Sequence, residues 1–482
     1  MQTGNTNRLG RGWIQAIFVL GVCLILSSCS IAGDRNIMEG NEDSGTKQPI
    51  ERYTGAPSQA ISSVYTTGRE LALTFNGMAD SDTMNKLLDQ LDGYGIKATF
   101  FLPGMRVAEE PDIAREIKSR GHEIENNTLN GQDLSQLSYE QVYQEIHLAN
   151  QVIQKETGIT PRYVRTASGE YNDDIRLAAA HNGQKAVISH SLFLHNWNKE
   201  SEAQKRSYIR KYINRGGIIA LDAGENKQLL EDIAFLADAA KDAGYTFVPL
   251  SKLVMEGGER KPLEQIAGYD AARLNASHKP TSYNLVSREE TNSKKVALTF
   301  DDWGTDYTIT QILDILEKYQ VKASFFLRAD GVEKNPNLAR AIAKAGHDVG
   351  NHTYSHPELA NLTPEQLQNE VVKAHQIITE AIQEKPAMLF RPPTGNITPE
   401  AAEIIAATGY HTIVNFDVDP KDWDRSRSAA QITQSIMEQT KSGSIILLHI
   451  LDDLQTIEAL PQVIESLEGQ GYTFVRASDL LS

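Results

Sequence analysis

A chain of 482 residues exceeds what one hydrophobic core ordinarily organises, so two sizeable domains are expected. Its 63 acidic residues outnumber 47 lysines and arginines, a formal charge of −16, and no arginine-rich stripe runs through it, which excludes nucleic acid as a partner. The two cysteines, Cys23 and Cys29, precede residue 30, so the folded domains hold no disulfide and no thiolate metal site; any metal takes oxygen and nitrogen ligands.

Arg8 and Arg11 lead into an apolar run from Trp13 to Leu26, broken only by Gln15 and followed by small residues. That is the pattern of an export signal, too short to span a bilayer comfortably. Its end, Leu26-Ser27-Ser28-Cys29, resembles the lipobox of bacterial lipoproteins, which implies that residues 1–29 form a lipoprotein-type signal cleaved just before Cys29, which becomes the lipidated mature N-terminus. An ordinary secretory signal and an uncleaved helical anchor are the alternatives. All three place the domains outside the cytoplasm, and the lipobox version anchors them by lipid to the membrane at the cell surface. Residues 30–62, polar and rich in Gly, Ser and Pro, read as a flexible tether.

Beyond the tether the chain repeats itself. "LALTFNG" at Leu71 returns as "VALTFDD" at Val296, "IKATFFL" at Ile96 as "VKASFFL" at Val321, and "GHEIENNT" at Gly121 as "GHDVGNHT" at Gly346, each 225 positions later. Arg165 and Gly169 against Arg391 and Gly395 give 226, and "GYTFV" at Gly244 against Gly471 gives 227, so the copies differ by almost no insertions. The domains expected are therefore 63–255 and 291–482, joined by a polar linker over 256–290.

In the second copy, short β-branched runs alternate with amphipathic stretches, the signature of a parallel α/β sheet. The strands are "VALTF", "ASFFL", "HDVGNH", "AMLFR", "TIVNF", "SIILLH" and "YTFV". Ile309, Ile312, Leu313, Leu316 and Tyr319 form one helical stripe, Thr363-Pro364-Glu365-Gln366 is a capping box, and Thr398-Pro399-Glu400 opens a further helix. Seven strands with intervening helices suggest a distorted (β/α) barrel, slightly smaller than the eight-stranded form.

Active sites of parallel α/β folds form at the C-terminal ends of the strands. There stand Asp301 and Asp302, His352 and His356, Arg391, then Asp417, Asp419 and Asp422, and finally His449. His352 and His356, four apart, can face one ion, and Asp302 would complete a triad of ligands. Adjacent carboxylates repel unless a cation or proton intervenes, so a division of labour is expected, in which one binds metal and the other takes a proton.

Five ordered motifs, "TFDD" (Thr299 to Asp302), "HTYSH" (His352 to His356), "RPPTG" (Arg391 to Gly395), "DPKDW" (Asp419 to Trp423) and "LLH" (Leu447 to His449), resemble those of the polysaccharide deacetylase family, the NodB-homology or carbohydrate esterase family 4 domain. The resemblance implies an α/β fold of two tandem distorted (β/α)7 barrels and a hydrolase. It makes Asp301 the catalytic base, Asp302, His352 and His356 the holders of one divalent metal, Arg391 the residue positioning Asp301, Asp422 the partner tuning His449, and His449 the general acid. Zinc is the expected ion, with cobalt, nickel or iron compatible with the same ligands. Substrate contacts are expected from Thr394, whose backbone N–H faces the oxyanion, from Trp423, and from Trp303 at the groove edge. Two departures stand out: the family usually carries a tyrosine where Thr394 stands, and Gly-Pro where this chain has Trp303-Gly304.

The implied substrate is an extracellular N-acetylglucosamine-containing polysaccharide, peptidoglycan favoured, with chitin and poly-N-acetylglucosamine open. An O-acetyl xylan esterase and a non-catalytic glycan-binding protein are the alternatives. His347, His375 and His411 read as packing residues. Carried back by offset, the catalytic positions of the first copy become Asn76-Gly77, Asn127, Gly131 and Asp222, which leaves a degenerate deacetylase-like domain. Its role is structural support or glycan binding, with Trp197 as a stacking face.

Overall fold

A computed structural model describes residues 50–194, 199–277 and 281–482. The signal-type segment with Cys29, the tether up to residue 49, and Trp197 lie outside the described residues. No helix among the described residues is long and apolar enough to cross a membrane.

Two curled sheets of parallel strands follow the two sequence copies, giving tandem distorted (β/α)7 barrels. The first has strands β1 (Gln59–Ile61), β2 (Glu70–Asn76), β3 (Thr99–Leu102), β4 (Glu123–Asn126), β5 (Tyr163–Val164), β6 (Ala186–Ile188), β7 (Leu192–Leu194), β8 (Ile218–Asp222) and β9 (Thr246–Phe247). Their order is β1-β6-β5-β4-β3-β2-β8-β7, with β9 on β2. The second has β10 (Asn284–Val286), β11 (Lys295–Asp302), β12 (Ser324–Leu327), β13 (Asp348–Asn351), β14 (Leu389–Phe390), β15 (Thr412–Val414), β16 (Ile445–His449) and β17 (Thr473–Phe474). Here the order is β10-β15-β14-β13-β12-β11-β16, with β17 on β11. All seven expected strands are present as β11 to β17.

Strand β11 is buried on both faces, as a parallel sheet under helices requires. Leu298 and Phe300 pack outward with the stripe Ile309, Ile312, Leu313 and Leu316 of the helix Asp306–Lys318, whereas Ala297 joins Phe326, Leu389, Val414 and Ile445 inside the barrel. Each such buried aliphatic contributes roughly 1.5–3 kcal/mol before entropy is subtracted. The capping box at Thr363 is formed and starts the helix Pro364–Ile382.

Two polar stretches are more ordered than their composition implies. Residues 50–62, read as the end of the tether, dock on the first barrel: β1 pairs with β6, Arg52 Nε donates to Asp174 at 3.0 Å, and Tyr53 stacks on His181 at 5.4 Å. Of residues 256–290, read as a linker, the described stretches 256–277 and 281–290 cover the second barrel. Ile266 and Ala272 are buried, His375 Nε2 bonds the Gly268 carbonyl at 2.9 Å, and β10 pairs with β15. Three-residue strands and scattered apolar anchors carry too little periodicity to stand out in sequence.

Candidate active site

Parallel pairing assembles the site. Register sets Asp301 on β11 beside His449 on β16, and Asn351 on β13 beside Phe390 on β14, so that His352 and Arg391 leave neighbouring strand ends. Alternation along β11 puts Asp301 on the same face as Ala297 and would send Asp302 outward with Phe300. The left-handed turn at Asp302, φ 79°, breaks that alternation, and both carboxylates line one cavity of about 360 Å³. His352, His356, Thr394, Gly395, Phe416, Asp419, Trp423, Leu447, His449 and Leu451 line the rest.

Asp302, His352 and His356 each offer a ligand atom within 4.8 Å of the others. The second histidine requires a turn in which Thr353 and His356 have φ of 66° and 60°. That turn is built from side chains. Asn351 Oδ1 accepts the Thr353 N–H at 2.9 Å, and Thr353 Oγ1 accepts the His356 N–H at 3.0 Å. Glu370, on the helix behind, accepts the N–H groups of Tyr354 and Ser355 at 3.0 and 2.8 Å. The chemistry of these donors fits a divalent cation. His352 Nδ1 lies 2.8 Å from the Arg391 carbonyl, which can only accept, so Nδ1 carries the proton and the Nε2 lone pair is free. Burial pushes the His352 imidazole down to about 3 despite the nearby Asp302 charge, which keeps that lone pair. An oxygen and two such nitrogens suit zinc, cobalt, nickel or iron.

Asp301, whose Oδ2 lies 3.9 Å from His352 Nε2, is engaged on its other oxygen by Arg391. The guanidinium is fully buried, donates to Asp301 Oδ1 at 2.8 Å and Thr299 Oγ1 at 2.6 Å, and spends its remaining donors on the Val414 and Asn415 carbonyls. Burial raises the Asp301 carboxyl above its ordinary range even though Arg391 opposes the shift. A base with a raised pKa accepts a proton more readily near neutrality. Across the cavity, His449 Nδ1 donates to Asp422 Oδ1 at 2.7 Å, and Asp422 is fixed in turn by the His449 N–H at 2.8 Å and Thr456 Oγ1 at 2.7 Å. Burial works against the imidazolium, but the hydrogen bond and charge of Asp422, with Asp301 and Asp302 adding, push it up to about 9. The balance favours the imidazolium, the form that can give up a proton.

A family model for polysaccharide deacetylases matches residues 63–187 and 288–413. The chain belongs to the polysaccharide deacetylase family. A peptidoglycan-N-acetylglucosamine deacetylase of Bacillus cereus is 37% identical over 207 residues, 42% of this chain and 94% of that protein. A second from the same organism is 38% identical over 188 residues, 38% of this chain and 67% of that protein. A solved peptidoglycan N-acetylglucosamine deacetylase is 35% identical, covers 41% of this chain and 92% of that one, and has a TM-score of 0.39.

This polysaccharide deacetylase, a hydrolase, gathers at one strand-end site nine of the ten folded residues given a catalytic, metal or substrate role, and Asp419 with them, while Asp417 lies off the cavity and accepts from Ser444 Oγ and the Ile445 N–H at 2.9 Å each. Arg391 and Asp422 stand behind the cavity, in contact with Asp301 and His449, and Trp423 is 51% exposed at its mouth. Trp303 is the exception. Expected at the groove edge, it packs instead on the core of its barrel over Gly331, where an added Cβ would lie 2.2 Å from the indole. The turn at Asp302 and the missing side chain at Gly331 explain the difference. Phe416, Leu451 and Glu370 are the residues that sequence reasoning missed. Glu370 had a signal in the repeat, since Glu145, 225 positions earlier, accepts the Asn130 N–H in the same way at 3.0 Å.

The first barrel keeps the scaffold without the ligands. Arg165 repeats Arg391, donating to Thr74 Oγ1 at 2.8 Å, to Asn76 Oδ1 at 3.2 Å and to the carbonyls of Ile188 and Ser189. Asn127 donates to the Arg165 carbonyl at 2.9 Å, the bond His352 makes to Arg391. His122 and His347 accept the N–H of Ala98 and Ala323 at 3.1 Å each, the packing role expected of them. Asp222 accepts from the N–H groups of Gly224 and Glu225, and the one metal-type cluster among the described residues is in the second barrel.

Proposed function

We propose that the second barrel hydrolyses N-acetyl groups of an extracellular N-acetylglucosamine-containing polysaccharide, with peptidoglycan the favoured polymer. The observation that carries this reading is the opposition of a carboxylate and an imidazolium across one cavity beside three ligand atoms within 4.8 Å of one another. Amide hydrolysis needs a base for water, an acid for the leaving nitrogen and a polarised carbonyl. Asp302, His352 and His356 would hold the divalent ion, zinc in this reading, whose chemistry is to polarise the acetyl oxygen. Asp301, kept ionised and oriented by Arg391, takes the proton of the attacking water. His449, charged through Asp422, gives its Nε2 proton to the sugar nitrogen as the C–N bond breaks, and acetate and a free amine leave. Thr394, lining the cavity, offers its backbone N–H to the developing oxyanion, and Trp423 offers a stacking face to a sugar. The names of the Bacillus cereus relatives favour peptidoglycan.

The same reading places the enzyme outside the cytoplasm, lipid-anchored through Cys29 to the membrane at the bacterial surface. Cys29→Ser protein found in the membrane fraction as fully as wild type would remove the anchor from it. For the activity, acetate release is measured from peptidoglycan fragments, chitin oligomers and acetyl xylan, with and without chelator. Release from the N-acetylated polymers that stops with chelator is expected. Turnover of acetyl xylan alone would make the protein an O-acetyl esterase, and no release from any polymer would make it a glycan-binding protein.

A further inference from the structure

Asp306 lies four residues beyond Asp302, at the start of the helix Asp306–Lys318, and is 1% exposed. Its counter-ion comes from the other barrel. Arg215, in the turn entering β8, donates from Nη2 to Asp306 Oδ1 at 2.9 Å, from Nε to each oxygen at 3.2 Å, and from its backbone N–H to Oδ2 at 3.2 Å. The same guanidinium reaches Thr310 Oγ1 at 2.6 Å and the Thr67 carbonyl at 3.2 Å. Asn335 closes the cluster, its Nδ2 donating to Asp306 Oδ2 and Asn214 Oδ1 at 3.1 Å each. The turn carrying Arg215 has little freedom: Gly216 has φ 72°, and a Cβ there would stand 2.0 Å from the Val64 carbonyl oxygen.

Neither partner is inherited from the repeat. By offset, Asp306 corresponds to Ser81 and Arg215 to Ser442, so the pair belongs to the contact between copies and not to the barrel as such. Its other end touches the active site. The turn 302–306 is wedged against the segment that follows His449: a Cβ on Gly304 would lie 1.9 Å from the Ile450 carbonyl oxygen, and Thr305 donates from N and Oγ1 to Asp452 Oδ1 at 3.1 and 2.7 Å. The turn bearing one metal-ligand candidate is thus pinned between the proton donor's strand and the first barrel.

We propose that Arg215 is a positioning residue for catalysis: through Asp306 it fixes the turn 302–306, and with it the placement of Asp302 relative to His449, which makes the catalyst-free barrel a working part of the active site. The proposal rests on the second barrel being the catalytic one. A buried charge pair of this kind loses its orientation, not only its stability, when one member is removed.

The test compares full-length wild type with Arg215→Met, Asp306→Asn, the double variant Arg215→Met/Asp306→Leu, and Arg69→Ala, which cuts the exposed inter-barrel pair with Asp314. Thermal midpoint, kcat and KM for a chitin oligomer, and the visible spectrum of the cobalt-loaded protein are recorded well below the unfolding transition. Arg215→Met and Asp306→Asn should lower kcat by about tenfold or more with KM little changed and alter the cobalt spectrum, as expected of a displaced catalytic group. The double variant, free of a lone buried charge, should regain the midpoint but not kcat, and Arg69→Ala should match wild type throughout. Equal kcat and an equal cobalt spectrum in the folded single variants, or a double variant that regains kcat together with the midpoint, overturns the proposal. A wild type that releases no acetate from chitin oligomers or from peptidoglycan fragments sinks the proposed function instead, and the cobalt spectra then decide the positioning claim alone.

Discussion

Gly77 in the first barrel and Asp302 in the second share a left-handed turn, φ 75° and 79°, and Gly131 and His356 share another, φ 64° and 60°. Two of the three candidate metal ligands therefore sit in backbone that costs a residue with a Cβ about 1–2 kcal/mol, and the barrel without ligands has glycine at both places. The third, His352, is matched by Asn127, which keeps the hydrogen bond to the arginine carbonyl and gives up the ring nitrogen. What distinguishes the barrels is not the turns, which survive, but whether strained positions carry side chains. The scaffold persists because it is stabilised from behind, by Arg165 and Arg391 against strand carbonyls and by Thr128 and Thr353 bridging their loops at 3.1 and 3.0 Å.

The contrast is most sharply tested at the base. Asp301→Asn should lower kcat by about 10²–10⁴-fold while leaving metal binding intact, because Asn can still accept from Arg391 but cannot take a proton. The mirror change, Asn76→Asp, should leave acetate release unaltered. A strong effect of the second would mean that the first barrel takes part in chemistry. Next in size, chelation or His352→Ala should remove metal binding and activity together, read by metal content and acetate release; no metal lost from the variant would dissolve the ligand assignment.

A smaller effect separates the acid from the base. His449 is pushed up to about 9 against its burial largely by Asp422, so if His449 is the proposed proton donor the rate should fall as pH rises through that value. Asp422→Asn removes the charge that favours the imidazolium. The alkaline limb of kcat should move to lower pH, lowering the rate about thirtyfold at pH 8, where an unassisted imidazole is mostly neutral. An unmoved limb would assign the proton donor elsewhere.

How much of this was legible depended on what repeats. The seven strands, the burial of Ile309 to Leu316, and the convergence of Asp301, Asp302, His352, His356 and His449 follow from periodicity and from the rule that strand ends gather function. Trp303 could not be placed, because its direction depends on the φ of the preceding aspartate and on a glycine 28 residues away. The Arg215–Asp306 pair, separated by 91 residues, left no spacing to read, since it arises where two copies meet and each has serine in the other's place. The docking of residues 50–62 and 256–290 was hidden for a related reason: isolated anchors such as Tyr53 and Ile266 acquire meaning only against a surface already folded.

The smallest expected effect returns to the glycines. Asp302→Gly and His356→Gly each relieve about 1–2 kcal/mol of left-handed strain but add about 0.5–1 kcal/mol of unfolded-chain entropy, so each metal-free variant should gain about 0.5–1 kcal/mol. For a barrel of this size that corresponds to a rise of about 1–4 °C in thermal midpoint. The backbone has its own support, Thr353 Oγ1 on the His356 N–H at 3.0 Å, and does not depend on the lost side chain. Gly77→Asp and Gly131→His should move the first barrel the opposite way. The second should cost more, because a Cβ at Gly131 meets Pro103 Cγ at 3.0 Å while one at Gly77 has nothing nearer than 3.9 Å. A metal-free His356→Gly protein that melts below wild type would show that the imidazole stabilises the turn, and the strain would then not be what separates the barrel with the candidate ligands from the one without them.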